Sequence, residues 1–356
     1  MLKIKRKLIN SKLHLLKMNQ FVIRALFLLT IAGLLNACSN NTSGVQPAVS
    51  NVQPINPVPQ LVQPQNTYRS SGLSGSFQSP NELEPAVAFW RKTYTEWRRS
   101  EVAIHDDRYM DIIYEVMVIP GNVNESLTSE QKELVKKRKD FWKVQLTVLE
   151  SKVRYNAPLS DNEKQIIVKL KNNSRELNTA LIGANERVRS QRGTRERFMQ
   201  GLEISRRYDR QFRKIFRDAG LPEDLAYLPH VESSFQPAAK SSAGAVGMWQ
   251  FTKGAAQTYM PAGNKVDQRL DPFASATGAA RYLSHAYKKL GDWASAITSY
   301  NHGIGGMKKA QNQVGRNFVR IVNTYDGPAF GFASRNYYAQ FLAAREIAKN
   351  PPQYLP

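Results

Sequence analysis

At 356 residues the chain is long enough for one large core or two domains, and 42% apolar and 22% charged residues are ordinary for a globular protein. Lys and Arg number 50 against 29 Asp and Glu, a net charge of +21, so the surface attracts polyanions: nucleic acid, anionic lipid headgroups or a carboxylate-bearing polymer. A single cysteine excludes an internal disulfide, so packing alone must hold the fold.

The N-terminus carries Lys3, Lys5, Arg6, Lys7, Lys12 and Lys17, and then an apolar run from Ala25 to Leu35. That run is about half the length of a membrane-spanning helix, which fits a secretion signal better than an anchor. It ends Leu35-Asn36-Ala37-Cys38, and this segment resembles a bacterial lipobox. Residues 1–37 are therefore expected to be a lipoprotein signal peptide, with Met1 or Met18 as the start, and Cys38 the lipidation site. Ser39 after the cysteine resembles an outer-membrane address, at its periplasmic face. Export argues against a nucleic-acid partner. Residues 38–80, rich in Asn, Gln, Ser and Pro, cannot bury enough surface to fold and read as a disordered tether.

Ordered structure is expected from about Glu82. Trp90, Tyr94 and Trp97 recur at helical spacing, followed by aliphatic residues as far as Ile119. Pro120-Gly121 stops that segment. Further helical runs start at Thr128 and at Ser160-Asp161, and no alternating strand pattern stands out. Residues 81–212 are thus expected to form a helical bundle or hairpin, with the aromatic stripe as core. From Ala184 to Arg217, eleven Lys and Arg face four acids. This pattern suits either a solvated helix face or docking on anionic wall peptides or headgroups.

Leu221-Pro222-Glu223-Asp224 opens the next helix, with Pro in the first turn and acids at the positive end. Pro229 keeps that helix short or kinked, and it runs out at Glu232-Ser233. A carboxyl at a helix C-terminus among aromatic neighbours has its pKa raised, as a glycosidase's general acid requires. The stretch Ser241 to Thr252 then offers small residues and glycines for close backbone approach, Trp249 and Phe251 as flat faces, and Gln250 as donor and acceptor. Met248 and Trp249 suit a core position equally well. Asp271-Pro272 starts a helix ending at Gly291, and Asp292 caps another ending at Gly303. Tyr300 and Asn301 sit at that end. A last helix, from about Arg335 to Lys349, carries Asn336-Tyr337. The histidines lack metal-binding spacing and no nucleotide motif occurs, so no metal or cofactor is expected.

Glu232-Ser233, Gly247-Met248-Trp249-Gln250, Ser299-Tyr300-Asn301 and Asn336-Tyr337, in this order and spacing, resemble family 1 lytic transglycosylases, most nearly the membrane-bound D type. The resemblance implies an all-α chain with a lysozyme-like helical catalytic domain over residues 213–350. It implies cleavage of the glycosidic bond between N-acetylmuramic acid and N-acetylglucosamine in peptidoglycan glycan strands, closing a 1,6-anhydro ring without water. Glu232 would be the single acid and base. Ser233, Met248, Gln250, Tyr300, Asn301 and Tyr337 would bind substrate, Tyr337 being the weakest carry-over. Ser299 departs from the usual Ala, and no C-terminal wall-binding repeats follow. A hydrolysing muramidase of the same fold usually needs a second carboxylate; Asp224, eight residues back and roughly 12 Å along a helix, is too far to supply it. A wall-binding lipoprotein scaffold with an inert site is the remaining alternative.

Overall fold

The computed structural model describes residues 77, 79–260 and 267–355; the stretch expected to be a signal peptide, Cys38 and nearly all of the expected tether lie outside the described residues. Phe77 falls inside the stretch assigned to the tether, yet it is buried. Its ring packs edge-on to Phe341 with centroids 5.2 Å apart, and 5.9 Å from Trp293. The folded body therefore includes Phe77, a correction to the boundary at residue 80.

Helix α1 (Glu84–Thr95) has Pro85 in its first turn and buries Val87, Phe89, Trp90 and Tyr94. Val87, Trp90 and Tyr94 recur at three- and four-residue steps, in keeping with the helical spacing of the aromatic residues. The next segment does not continue as helix. Strands β1 (Glu101–Asp106), β2 (Ile113–Val118) and β3 (Val188–Arg192) form an antiparallel sheet in the order β2-β1-β3. The reading of residues 82–119 as one helical segment is corrected here. β1 is covered on both faces: Val102 and Ile104 face one core, Ala103 the other. A strand buried on both sides shows no polar alternation and cannot be told from a buried helix by period.

Helices α2 (Ser129–Arg154) and α3 (Asp161–Leu170) cover one face of the sheet. Both begin with reciprocal capping boxes, Thr128 with Gln131 and Ser160 with Glu163, where the sequence placed their starts. Leu146, Leu149, Ile166 and Leu170 join Val102, Ile104 and Tyr114 in a small core. A five-residue helix, Leu177–Leu181, leads to β3.

The rest is helical: α4 (Arg195–Ser205), α5 (Asp209–Asp218), a 3-10 turn Glu223–Tyr227, α6 (Leu228–Glu232), α7 (Lys253–Tyr259), α8 (Pro272–Leu290), α9 (Trp293–His302), α10 (Ile304–Val314), α11 (Phe318–Thr324) and α12 (Phe332–Lys349). Asp271 caps α8 and Gly291 closes it in the left-handed conformation, as expected from the sequence. The chain is mostly helical, with the sheet as the exception.

The main core joins elements from both sides of residue 213. Phe77, Val87, Phe89, Trp90 and Tyr94 pack in one cluster with Phe198, Phe212, Trp249, Phe341 and Ile347. α1 lies along α12, and the Trp90 indole N–H donates to Asn336 Oδ1 at 3.3 Å. A division into 81–212 and 213–350 is therefore corrected: α1 and α4 belong to the large core, and the sheet with α2 and α3 forms the smaller one. The division failed because an aromatic stripe reveals burial but not against which partner.

The basic stretch from Ala184 to Arg217 is largely engaged within the fold. Arg187 pairs with buried Asp106 at 2.9 Å, Arg197 with Glu125 at 3.0 Å and Arg217 with Glu223 at 2.7 Å. Arg192 donates to the carbonyls of Arg99 and Glu125 at 2.6 and 2.7 Å.

Candidate active site

Helix α6 is five residues long and ends on Glu232. The chain then turns sharply, because Ser234 and Phe235 both take positive φ, 52° and 58°. Non-glycine residues rarely adopt this region, so the surroundings must hold them there. Phe235 is held by burial against His230, with ring centroids 4.4 Å apart, and against Phe212 at 6.0 Å. Gly201 of α4 fits under the turn: a Cβ there would lie 2.7 Å from the Ser234 carbonyl oxygen. Arg197, also on α4, donates to the Ser233 carbonyl at 3.3 Å.

The loop between α6 and α7 is gripped from three sides. Ser233 Oγ donates to the Met248 carbonyl at 2.8 Å, and Tyr300 Oη donates to the Trp249 carbonyl at 2.9 Å. Gly247 has φ 81°, and a Cβ on it would lie 2.1 Å from the Arg269 carbonyl oxygen, so only glycine fits. Gln250, at φ 50°, donates its amide to the carbonyls of Gly247 and Ala239 at 2.8 and 3.2 Å. Buried Arg269 donates to the carbonyls of Gly244 and Phe251 at 3.0 and 3.2 Å while paired with Asp267 at 2.6 Å. Arg269 escaped the sequence reading. The only local signal was an Asp two residues before it.

Two assignments change. Met248 and Trp249 are 1% and 0% exposed and belong to the main core, and Phe251 is 3% exposed. None of the three presents a flat face to a ligand. What Met248 and Trp249 offer the site is their carbonyls, which fix Ser233 and Tyr300.

Glu232 is half-buried, and Tyr337 of α12 donates its hydroxyl to Glu232 Oε1. Burial pushes the carboxyl up from 4.5 to about 7, while the Tyr337 hydrogen bond pulls the other way. Desolvation wins, so near neutrality a large fraction of Glu232 carries its proton. A five-residue helix has little dipole, so burial and not the helix end supplies the shift. Burial, reinforced by the Glu232 charge, holds Tyr300 and Tyr337 well above the usual phenol range, so both stay hydroxyl donors.

Every Asp and Glu of the sequence lies among the described residues, and none contributes to the shift of Glu232. Asp224 is occupied elsewhere, bonded to Arg345 at 2.6 Å, Lys349 at 3.0 Å and Arg213 at 3.3 Å. Asn301 is exposed at the end of α9, where its Oδ1 accepts from Ser334 Oγ at 2.8 Å. The structure thus gathers Glu232, Ser233, Tyr300 and Tyr337 through hydrogen bonds among themselves or to one loop. Gln250 belongs to that loop, and Asn301 adjoins it through Tyr300. Such a group can hold one proton on a poorly hydrated acid with fixed donors around it.

Residues 213–320 match the family model described as the transglycosylase SLT domain. The chain is 32% identical over 137 residues to membrane-bound lytic murein transglycosylase D of Escherichia coli K12, covering 38% of this chain and 30% of that protein. It is 34% identical over 122 residues to membrane-bound lytic murein transglycosylase F 2 of Alkalilimnicola ehrlichii, covering 32% of this chain and 26% of that protein. The matches thus span less than a third of either relative's length. Among solved structures, the 70 kDa soluble lytic transglycosylase of Escherichia coli aligns at 17% identity with a TM-score of 0.34. That alignment covers 63% of this chain and 47% of the other, too distant to carry an argument.

Proposed function

We propose that this chain, whose residues 213–320 match a transglycosylase SLT domain, is a peptidoglycan lytic transglycosylase with Glu232 as its single acid and base. One observation carries the reading: a half-buried carboxyl with its pKa raised to about 7, held by a tyrosine, with no second acid contributing. A hydrolase usually needs a second carboxylate to activate water or to bond the sugar. A lone acid suits a substrate that supplies its own nucleophile.

The reaction then runs in two proton movements. Protonated Glu232 gives its proton to the bridging oxygen between N-acetylmuramic acid and N-acetylglucosamine as the bond to the muramyl C1 breaks. The resulting carboxylate takes the proton of the muramyl 6-hydroxyl while that oxygen bonds to C1, closing the 1,6-anhydro ring and restoring the acid. Tyr337 keeps the carboxyl oriented through both steps. Gln250, whose amide hydrogens are held by the Gly247 and Ala239 carbonyls, offers its Oε1 to the sugar and its acetamido arms, Asn301 offers its amide group, and Ser233 and Tyr300 hold the loop that presents Gln250. Mass spectrometry of digested sacculi tests the reading. Products lacking one water, with anhydro ends, are expected; reducing ends would mean hydrolysis and would reject it.

The location follows the same reading. The two relatives named above are membrane-bound, and among the described residues no helix is long and apolar enough to cross a membrane. The lipobox-like segment supports a lipid on Cys38 as the anchor, at the periplasmic face of the outer membrane. Cys38→Ser is expected to move the protein from the membrane fraction to the soluble periplasmic one; unchanged membrane recovery would remove Cys38 from that role.

A further inference from the structure

One cavity lies away from Glu232. It has a volume of about 470 Å³ and lies against another side of α12, between that helix, α1, α11 and the segment after β1. Tyr337 points from α12 to Glu232, whereas Arg335, Asn336 and Ala339 line the cavity, so roughly one helix diameter, about 10–12 Å, separates the two sites.

Its lining carries three arginines, Arg108, Arg175 and Arg335, and three acids, Glu82, Asp107 and Asp111. Arg335, 14% exposed, donates Nε to the Val322 carbonyl at 3.2 Å and Nη2 to Asp326 at 3.3 Å. Arg108 donates Nη1 to the Asn323 carbonyl at 2.7 Å and reaches the same Asp326 at 3.8 Å. Two guanidiniums therefore share one carboxylate, itself 72% exposed and a weak partner for both. Asp107 and Glu82 line the cavity as well, and Asp111 is paired with Arg175 at 2.8 Å. Asp107 meets Arg335, Arg189 and Arg108 through charge, but its carboxylate accepts no side-chain hydrogen bond among the described residues. Burial, and next the Asp106 charge, push it up. Met110 and Phe318 give the cavity an apolar floor.

Such a cavity calls for a ligand carrying both signs. A phosphate would suit the arginines but would be repelled by the acids, and a bare cation would meet the reverse. A small molecule with a carboxylate, an ammonium and an apolar body satisfies all three surfaces, and the volume suits a short peptide. We propose that this cavity binds the charged ends of a short peptide, its carboxylate on Arg108 and Arg335 and its ammonium beside Asp107 and Glu82. The function proposed above guides only the choice of probe: wall peptides cut from sacculi by an amidase, which carry both free groups.

Calorimetric titration with the full-length protein tests this. Wild type is expected to bind these peptides. Affinity should fall at least tenfold when their amines are acetylated and carboxylates amidated, and likewise in Arg108→Gln. Ala86→Phe, which fills the cavity from α1 without touching a charge, should lose binding too, and it keeps the test alive if Arg108→Gln does not fold. No binding by wild type, equal binding of blocked peptides, or unchanged affinity in both variants would overturn the site. Inorganic phosphate displacing the peptide at equal concentration would overturn the peptide assignment. Cleavage of sacculi is measured in parallel. Peptide binding without cleavage would reject the transglycosylase reading and keep this site, and cleavage without peptide binding would do the reverse.

Discussion

In the proposed reaction activity depends on Glu232, and its environment makes two measurable demands. As general acid it must be protonated, so kcat/KM should decline as pH rises through about 7. Glu232→Gln keeps the shape and removes the proton; wall cleavage should fall by at least about 10³-fold if this group carries both proton movements. Its effect on stability has the opposite sign. The folded-state pKa is raised from 4.5 to about 7, so the folded state binds more protons between those values, and stability is lost as pH rises through that window. The Gln variant should therefore be more stable than wild type above pH 7, by at most about 3 kcal/mol, with little difference near pH 4. Denaturant melts at the two pH values check this, and a Gln variant less stable at high pH would sink the buried-acid account. Tyr337→Phe removes the bond that pulls the pKa down, so the alkaline limb should move up while kcat falls; an unmoved limb would separate Tyr337 from the acid. Glu232 is singled out in the sequence because four short motifs stand in register around it. The burial of Met248 and Trp249 is not legible there, because a large apolar residue in a glycine-rich loop has the same letter whether it faces ligand or core.

At the scale of elements, the helices with polar caps were legible and the buried strands were not. Thr128, Ser160, Asp271 and Asp292 each announce a helix start by a side chain that accepts a backbone N–H, and each is found doing so. β1 has no comparable mark, since both its faces are covered and no turn signal beyond Pro120-Gly121 follows the hairpin it forms with β2. The loop from Ala239 to Thr252 is the element the site depends on, and its shape is set by backbone contacts that no pattern of residue types encodes. Gly247 is its tightest point. Gly247→Ala would combine a positive φ with a Cβ 2.1 Å from the Arg269 carbonyl, and neither backbone can move without breaking the bonds of Arg269 to Gly244 and Phe251. A loss of about 2–4 kcal/mol is expected from strain and overpacking together, with activity falling further than stability because Gln250 moves with the loop. A variant of wild-type stability and activity would show that the loop has room it does not display.

For the whole molecule, the arrangement of cores makes the site dependent on residues far from the family match. The match covers 213–320, yet the helix that brings Tyr337 to Glu232 lies beyond it, and one side of that helix is covered by α1. Trp90, Tyr94 and Phe77 fill the space between them, and the Trp90–Asn336 bond sits one residue from Tyr337. Without α1, α12 would expose a row of apolar side chains and Asn336 would lose its partner; Trp90→Ala alone should cost about 3–5 kcal/mol. A chain starting at residue 98 is therefore expected to lose cooperative thermal unfolding and wall cleavage together, although every motif residue is retained. The smaller core of sheet, α2 and α3 meets the large one at β1, whose Ala103 belongs to the large core and whose His105 ring lies 4.5 Å from that of Phe89. Loss of α1 should thus loosen the junction as well, and amide exchange in β1 should rise along with that in α12. Cooperative melting of the shortened chain, with α12 still protected, would show that the catalytic helices stand alone and that α1 is only a cover.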